Sequence, residues 1–199
     1  MGAEIFNILL SGTGGQGIVL ASRIIAMCAF KSGFDVKESE IHGMAQRGGS
    51  VIGQIRFGKR VYSPSIPVGD ADLMLALEEL EALRYLHYLK KKGIVILNHR
   101  QIPPAGLDPS QYPQDISERV KSKGYKVIEI NAGEVAKELG SSKVENTVLL
   151  GVLSLFLPFE RGIWKEVLKE AVPEKFLELN LKAFEEGVRL GEEILQSQN

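Results

Sequence analysis

The segment ILLSGTGGQG, residues 8–17, decides the fold that this sequence predicts. Residues 8–10 form an apolar run typical of a buried strand. Gly12, Gly14 and Gly17 follow with the spacing G-x-G-x-x-G, and an apolar periodic segment after them predicts a helix. Glycines in such a turn permit a tight bend, close approach of another group and close helix packing, and the helix N-terminus favours negative charge. The candidate ligand-binding or partner-contact turn comprises Gly12, Gly14, Gly15, Gln16 and Gly17.

The spacing of the glycines leaves two interpretations of this turn open. A dinucleotide site requires an acidic residue about 20 residues further on, at the end of the second strand. Glu38 and Glu40 lie in that region, within the strand-like stretch FDVKESE. Alternatively, the glycines only shape a tight strand-to-helix turn that packs against a partner. The sequence pattern alone does not separate a ligand site from a contact surface.

The length and composition predict one globular domain. The chain has 199 residues, which is enough to bury a hydrophobic core. We expect a single domain over residues 1–199, with an α/β core at 1–145 and a helical part at 146–199. The formal net charge is -1, so nothing basic stands out to suggest a nucleic-acid partner. With neither a signal peptide nor an apolar run long enough to span a bilayer, the sequence predicts a cytoplasmic protein.

The chemistry-bearing residues do not form a recognisable metal or nucleophile motif. Cys28 is the one cysteine, and a single cysteine can neither close an internal disulfide nor hold an iron–sulfur cluster. The three histidines, His42, His87 and His99, are widely spaced, and no C-x-x-C, H-E-x-x-H, G-x-S-x-G or phosphate-loop motif occurs. We therefore expect no metal site, no catalytic residue and no cofactor bound by this chain alone.

The order of predicted elements indicates a three-layer α/β/α fold. Its sheet is expected to be Rossmann-like and mainly parallel, with an inserted hairpin around Gly58 and helices at the C-terminal end. The predicted strands are 5–10, 34–39, 51–57, 72–77, 94–98 and 126–130. The predicted helices are 15–32, 80–91, 116–123, 132–139, 147–156, 163–171 and 173–196. Residues 90–92, all lysines, are expected at a helix C-terminus, where cations complement the helix dipole.

One edge of this sheet collects the candidate site residues. The carboxyl ends of parallel strands place the glycine turn, the loop after Ser39, Glu78 and residues 98–99 side by side, where open α/β sheets bind ligands. The polar, glycine-rich loop IHGMAQRGGS follows the second strand, and such loops are often functional. The alternative is that its Arg and His pair with neighbouring backbone or another subunit. The candidate substrate or interface residues are His42, Gln46, Arg47, Gly48, Gly49 and Glu78.

Several segments resemble one family of oxidoreductases. These segments are GTGGQGIVLAS at 12–22, ESEIHGMAQRGGSV at 38–51, VYSPSIP at 61–67, ADLMLALEELEALRYLHYL at 71–89 and NTVLLG at 146–151. Together they resemble the gamma-type component of the 2-oxoacid:ferredoxin oxidoreductases. Within that family the resemblance is to the beta subunit of the indolepyruvate type, with HGMAQRGGSV as the most discriminating piece.

The resemblance implies an enzyme subunit that works only with a partner. In this family a 2-oxoacid is decarboxylated on thiamine diphosphate, electrons pass through iron–sulfur clusters to ferredoxin, and an acyl-CoA is released. For the indolepyruvate type, the large alpha subunit carries thiamine diphosphate, Mg²⁺ and the clusters, and CoA is the co-substrate. We therefore expect a hetero-oligomer that converts indolepyruvate or other aryl pyruvates to the aryl-acetyl-CoA and CO₂.

Three alternatives to this function remain. The first is a stand-alone Rossmann-like NAD(P)-binding protein, based on the glycine spacing with Glu38 or Glu40. The second is the gamma subunit of a pyruvate or other 2-oxoacid ferredoxin oxidoreductase. The third is a non-catalytic scaffold that stabilises its partner.

The loop after the second strand supplies a first prediction, because Arg47 offers a fixed fork of donors suited to a carboxylate or phosphate. Arg47→Ala is expected to change stability by within about 0.5 kcal/mol, as is usual for a surface loop. It should lower turnover or weaken subunit association by about 10- to 150-fold, which corresponds to a lost charge-assisted bond of roughly 1.5–3 kcal/mol. Thermal melts, size-exclusion chromatography with the alpha subunit and a steady-state assay measure these effects. Unchanged association and turnover would reduce Arg47 to a surface residue.

Overall fold

Six strands form one twisted sheet in the computed structural model, which describes residues 5–43, 48–104 and 106–197. The spatial order of the strands is β2-β3-β1-β4-β5-β6. The strands are β1 (Phe6–Thr13), β2 (Asp35–His42), β3 (Ser50–Gly58), β4 (Ala71–Ala76), β5 (Leu89–Asn98) and β6 (Lys126–Ile130). The pairs β1–β4, β4–β5 and β5–β6 are parallel, whereas β3 pairs antiparallel with both β1 and β2.

Helices cover both faces of the sheet, so the predicted three-layer α/β/α fold is confirmed. The helices are α1 (Ile18–Lys31), α2 (Glu79–Tyr85), α3 (Ile116–Ser122), α4 (Ala132–Glu138), α5 (Glu145–Ser154), α6 (Arg161–Ala171) and α7 (Glu174–Ser197). Side chains alternate between the faces of a strand, and β1 shows the consequence. Ile8 and Leu10 pack in the larger core with α1 and the C-terminal helices, while Leu9 packs in the smaller core with α2 and α3.

The antiparallel strand of the sheet differs from the predicted one. The sequence predicted a hairpin around Gly58, but the described part of the chain has no strand between residues 59 and 70. The hairpin is instead formed by β2 and β3, with His42 opposite Val51. Strand β3 lies between β2 and β1 and forms backbone hydrogen bonds with both, so it has no free edge for a further strand. Because β3 is antiparallel to both neighbours, β2 still runs in the same direction as β1.

The helix predicted over residues 80–91 is too long. Helix α2 ends at Tyr85, a 3₁₀ turn follows, and β5 begins at Leu89. The three lysines at 90–92 therefore lie in a strand at the amino end of the parallel sheet, and Lys92 has φ 65. Tertiary pairing overrides the helical spacing of the leucines, because Leu89 is opposite Ala71 of β4 and is buried in the smaller core.

The helical C-terminal part packs on the sheet through a close helix crossing. Helices α5 and α7 cross at Gly151 and Gly187, where a Cβ added to Gly187 would overlap the carbonyl oxygen of Val148. Helix α5 is almost entirely buried, whereas α7 is amphipathic and keeps a charged outer face. Of the helices in the described residues, none combines the length and apolar character of a membrane span.

The helix crossing gives a second prediction. Gly187→Ala should lower the free energy of unfolding by about 1–3 kcal/mol, because the methyl group forces α5 and α7 apart. For a chain of this size, each kcal/mol corresponds to roughly 2–4 °C in melting temperature.

Gly162→Ala is the matched control, since Gly162 is an exposed helical glycine with open space at its Cβ position. An alanine at this position in the first turn of α6 should be neutral or stabilising by up to about 1 kcal/mol. Equal melting temperatures for Gly187→Ala and the wild type would contradict the close crossing.

Candidate functional site

The side chain of Gln16 holds the glycine turn against the end of β4. Its Oε1 accepts hydrogen bonds from Thr13 N at 2.7 Å and from Thr13 Oγ1 at 3.1 Å, and its Nε2 donates to Leu77 O at 2.9 Å. Gly12 makes room for this arrangement, because an added Cβ would lie 2.7 Å from Gln16 Oε1. The turn is therefore a fixed structure that connects two parallel strands at their carboxyl ends.

Two helix N-termini meet at this turn. Gly17 is the N-cap of α1 with φ 77, and an added Cβ would lie 2.5 Å from Asn146 Nδ2. Asn146 lies in the first turn of α5 and donates from Nδ2 to Gly17 O at 3.4 Å. The N-termini of α1 and α5 carry unpaired backbone N–H groups and partial positive charge. The first turn of α1 has no acidic residue, so its positive end is not neutralised within the helix.

The loop between β2 and β3 lies directly beside the glycine turn. Gly14 N donates to Gly49 O at 2.9 Å, and Gly43 N donates to Ser50 O at 2.7 Å. Gly48 has φ 65, a left-handed conformation that favours glycine. His42 is exposed and its Nε2 lies 3.4 Å from Glu40 Oε2. Two further candidates of this loop, Gln46 and Arg47, lie outside the described residues.

A groove of about 500 Å³ opens between the glycine turn and α5. Its walls are the turn, the segment after β5 that carries Arg100 and Ile102, and the residues from Ser142 to Asn146. The groove lies where the connections from β1 and β4 diverge to opposite sides, which is the usual position of ligand sites in open α/β sheets. Arg100 and Lys143 are exposed and have no ion-pair partner within the described part of the chain. The two cations and the N-terminus of α1 therefore favour an anionic group here, while Glu145 in the first turn of α5 offsets the positive end of that helix.

The walls of the groove are connected by the buried amide of Asn98. Its Nδ2 donates to Leu77 O at 3.1 Å and to Glu145 Oε1 at 2.7 Å, and its Oδ1 accepts from Ala132 N at 3.1 Å. Sequence reasoning placed Asn98 at this edge but missed Arg100, Lys143 and Glu145. Their signal is weak because each belongs to an irregular connection or a helix start, and only the packing of α5 against the turn brings them together.

Glu78 lies at the same edge but below the surface. The side chain is 0% exposed, and it accepts hydrogen bonds from Glu81 N, Ile102 N and Tyr112 Oη at 2.9, 2.9 and 2.5 Å. It thereby caps α2 and holds the segment after β5. Burial raises the pKa of the Glu78 carboxyl, and the three donated bonds oppose that rise in part. Glu78 shapes the groove from behind and has no exposed surface for a ligand.

The described residues do not form a site for an iron–sulfur cluster or a metal ion. Cys28 is fully buried in α1, and burial raises the pKa of its thiol to about 12, so a thiolate ligand is disfavoured. In residues 5–43, 48–104 and 106–197, no group of three or more His, Cys, Asp and Glu side chains could hold a metal ion.

The acidic residues expected for a dinucleotide site lie away from the glycine turn. Strand β3 separates β2 from β1, so Glu38 and Glu40 are two strands away from the glycine turn. Glu38 lies beside Arg23, Met27 and Phe30 on the outer side of α1. The acidic residue and the glycines therefore do not converge on one ligand.

The fold and the site define an α/β domain whose polar groove lies beside a glycine turn and a second loop at one sheet edge. Residues 7–190 match the pyruvate ferredoxin/flavodoxin oxidoreductase family. The chain belongs to this family of oxidoreductases, and the resemblance seen in its sequence segments is confirmed.

Two sequence relatives and one solved structure define the similarity. The chain is 40% identical over 197 residues to the indolepyruvate oxidoreductase subunit IorB of Thermococcus kodakarensis, covering 96% of this chain and 98% of that one. It is 26% identical over 188 residues to the ketoisovalerate oxidoreductase subunit VorA of Methanothermobacter marburgensis, covering 91% of this chain and 35% of that one. The crystal structure of the keto/oxoacid ferredoxin oxidoreductase gamma subunit from Geobacter sulfurreducens matches with a TM-score of 0.72 and 25% identity, covering 94% of this chain and 98% of that one.

The buried Glu78 carboxyl gives a third prediction. Glu78→Gln should lower the free energy of unfolding by about 1–3 kcal/mol, because an amide has one acceptor oxygen where three donors converge. Because the native pKa of the Glu78 carboxyl is raised, protonation of this group stabilises the folded state. This stabilisation is complete below the unfolded-state pKa of about 4.3, and it is lost as pH rises through the native pKa. The Gln variant cannot titrate there, so its deficit relative to the wild type should shrink as pH rises through that window.

Denaturant melts of both proteins from acid to neutral pH measure this difference. Glu192→Gln on the exposed face of α7 is the matched control and should give curves parallel to the wild type. A deficit for Glu78→Gln that stays constant, or grows, as pH rises would contradict the raised pKa.

Proposed function

We propose that this chain is the small subunit of an indolepyruvate:ferredoxin oxidoreductase of the CoA-acylating type. The complex would convert an aryl pyruvate and CoA to the aryl-acetyl-CoA and CO₂ while two electrons reduce ferredoxin. The single observation that supports this substrate class is the 40% identity to an indolepyruvate oxidoreductase subunit over 96% of the chain. The fold of an oxoacid ferredoxin oxidoreductase gamma subunit is consistent with it.

The cofactor chemistry is assigned to a large alpha subunit. Thiamine diphosphate with Mg²⁺ supplies decarboxylation there, and iron–sulfur clusters supply electron transfer to ferredoxin. The residues of the small chain support this division, because its one cysteine is buried with a raised thiol pKa. The chain alone is therefore inactive, and activity requires the hetero-oligomer.

The small chain contributes the polar edge of the sheet to this assembly. The glycine turn and the described end of the loop after β2 form one continuous surface, because Gly14 N donates to Gly49 O. The groove beside this surface combines Arg100, Lys143 and two helix N-termini. This surface faces the alpha subunit, and an anionic group of a substrate or of the partner lies in the groove.

The topology of the sheet argues against a stand-alone dinucleotide-binding protein. Neighbouring strands lie about 4.8 Å apart, so the interposed β3 places the acids of β2 roughly 10 Å from β1. An adenine ribose bound at the glycine turn would lack the expected acidic partner. The remaining alternative is a gamma subunit for pyruvate or another 2-oxoacid, which the substrate experiment separates.

The fourth prediction concerns substrate preference. The chain and its large subunit are produced together without oxygen, and reduction of ferredoxin or a viologen dye is followed with CoA and either indolepyruvate, pyruvate or 2-oxoglutarate. We expect kcat/KM for indolepyruvate to exceed that for pyruvate by at least about tenfold. The smaller pyruvate would lose the apolar contacts that a substrate pocket in the complex makes with the indole ring. Neither subunit alone should turn over.

The controls separate the alternatives. A preference for pyruvate or 2-oxoglutarate would assign the chain to another branch of the family. Micromolar NAD or NADP binding by the isolated chain, abolished by Gly14→Val, would support the dinucleotide interpretation instead.

A further inference from the structure

The loop at residues 59–70 connects β3 to β4 at the sheet edge opposite the groove. Strand β3 ends where β1 begins, with Phe57 opposite Phe6, so this loop lies at the amino ends of the parallel strands. It has no helix or strand of its own. The loop contains the VYSPSIP segment, to which the groove and its chemistry assign no role.

Polar side chains of neighbouring strands hold this loop in one conformation. Arg56 Nη1 of β3 donates to Ser63 O and Ser65 O, both at 3.0 Å, and Gln54 Oε1 accepts from Ile66 N at 2.7 Å. Arg56 is itself fixed by a bond from its Nε to Asn7 Oδ1 at 2.9 Å. The middle of the loop is thus attached to β3 at three points.

Both ends of the loop are also attached. Val61 N donates to Asp35 Oδ2 at 2.8 Å, and Asn7 Nδ2 donates to Asp70 O at 2.8 Å. The side chains of Val61 and Ile66 are buried beneath the loop. An irregular segment with this many attachments has little conformational entropy left to lose on binding.

This ordered loop displays apolar side chains to solvent. Tyr62 is 79% exposed and Val68 is 68% exposed. The guanidinium of Arg60 lies 5.1 Å from the centroid of the Tyr62 ring, which is the geometry of a cation–π contact. Tyr and Arg are enriched among residues that dominate protein–protein binding energy, and such residues act best when they are held rigidly.

The charge around the loop identifies what it binds. Lys59 and Arg60 are exposed at its start, and Lys91 and Lys92 are exposed at the same sheet edge. None of these four cations has a carboxylate within ion-pair distance among the described residues, whereas the neighbouring Lys90 is paired with Asp72. A second copy of this chain would bring the same cations face to face, and like charges disfavour that contact. An acidic surface with an apolar pocket is the complementary partner.

We propose that the loop at 59–70 is a docking surface for the large subunit, with Tyr62 and Val68 in an apolar pocket and the four cations facing an acidic rim. This inference rests on the proposed function, which supplies the large subunit. It is consistent with the Methanothermobacter relative, where the matching region is 35% of a longer chain. The docking loop and the groove lie at opposite edges of the sheet, so this contact is separate from the surface beside the groove that faces the large subunit.

The experiment compares affinities of chain variants for the separately purified large subunit by biolayer interferometry without oxygen. The double variant Tyr62→Ser/Val68→Ser should weaken the Kd by at least about 30-fold, the size expected for loss of a hot spot. Its melting temperature should match the wild type, because both side chains are exposed. Phe176→Ser is the matched control: Phe176 is an exposed aromatic with Lys175 Nζ 4.9 Å from its ring centroid, but it lies on α7. Its Kd should equal that of the wild type.

A charge variant tests the acidic rim independently. Lys59→Glu/Lys92→Glu should slow association by about tenfold or more at low salt and reduce the salt dependence of the association rate, with a smaller effect on dissociation.

A wild-type Kd for Tyr62→Ser/Val68→Ser would overturn the docking surface and leave the proposed function intact. If that variant binds more weakly but the wild-type complex does not reduce ferredoxin with aryl pyruvates, the docking surface is supported and the proposed function is refuted. If the wild-type chain does not bind the large subunit, both are refuted.

Discussion

Strand β3 runs antiparallel between β1 and β2, with Val51 opposite Gly12 at one end and Phe57 opposite Phe6 at the other. Its first residues bring the loop after β2 against the glycine turn, where Gly14 N meets Gly49 O. Its last residues carry the chain to the opposite edge before β4 begins. The same pairing moves the acids of β2 away from the glycines. One antiparallel strand thus places both the loop beside the glycine turn and the docking loop.

Buried polar groups transmit this arrangement to the walls of the groove. The Glu78 carboxyl and the Asn98 amide are both 0% exposed, and each accepts or donates bonds that fix a connecting segment. Unsatisfied polar groups in such positions would cost about 1–3 kcal/mol each, so the segments they hold have few alternative conformations. Buried hydrogen bonds therefore hold the irregular segments that form about half of the groove's lining.

The two edges of the sheet have different chemical characters that suit different tasks. The carboxyl edge combines glycines, two helix N-termini and the cations Arg100 and Lys143 around a concave groove. The amino edge displays Tyr62 and Val68 on an ordered loop, and the same edge carries lysines that have no ion-pair partner among the described residues. A concave polar site favours a small anionic group, whereas an ordered loop with exposed apolar side chains favours a protein surface.

Local sequence signals determined the elements of this protein and the class of its fold. The apolar run at Ile8 to Leu10, the glycine spacing and the strand–helix alternation predicted the three-layer sheet, and β6 was predicted with its observed bounds, Lys126–Ile130. These signals suffice because periodicity and glycine conformation depend on a few neighbouring residues. Tertiary structure alone decided which strands are neighbours, that Leu89 begins a strand, and that Arg100 and Lys143 share a groove. Those outcomes depend on backbone pairing and side-chain burial between segments far apart in sequence, and no local pattern of residues records that competition.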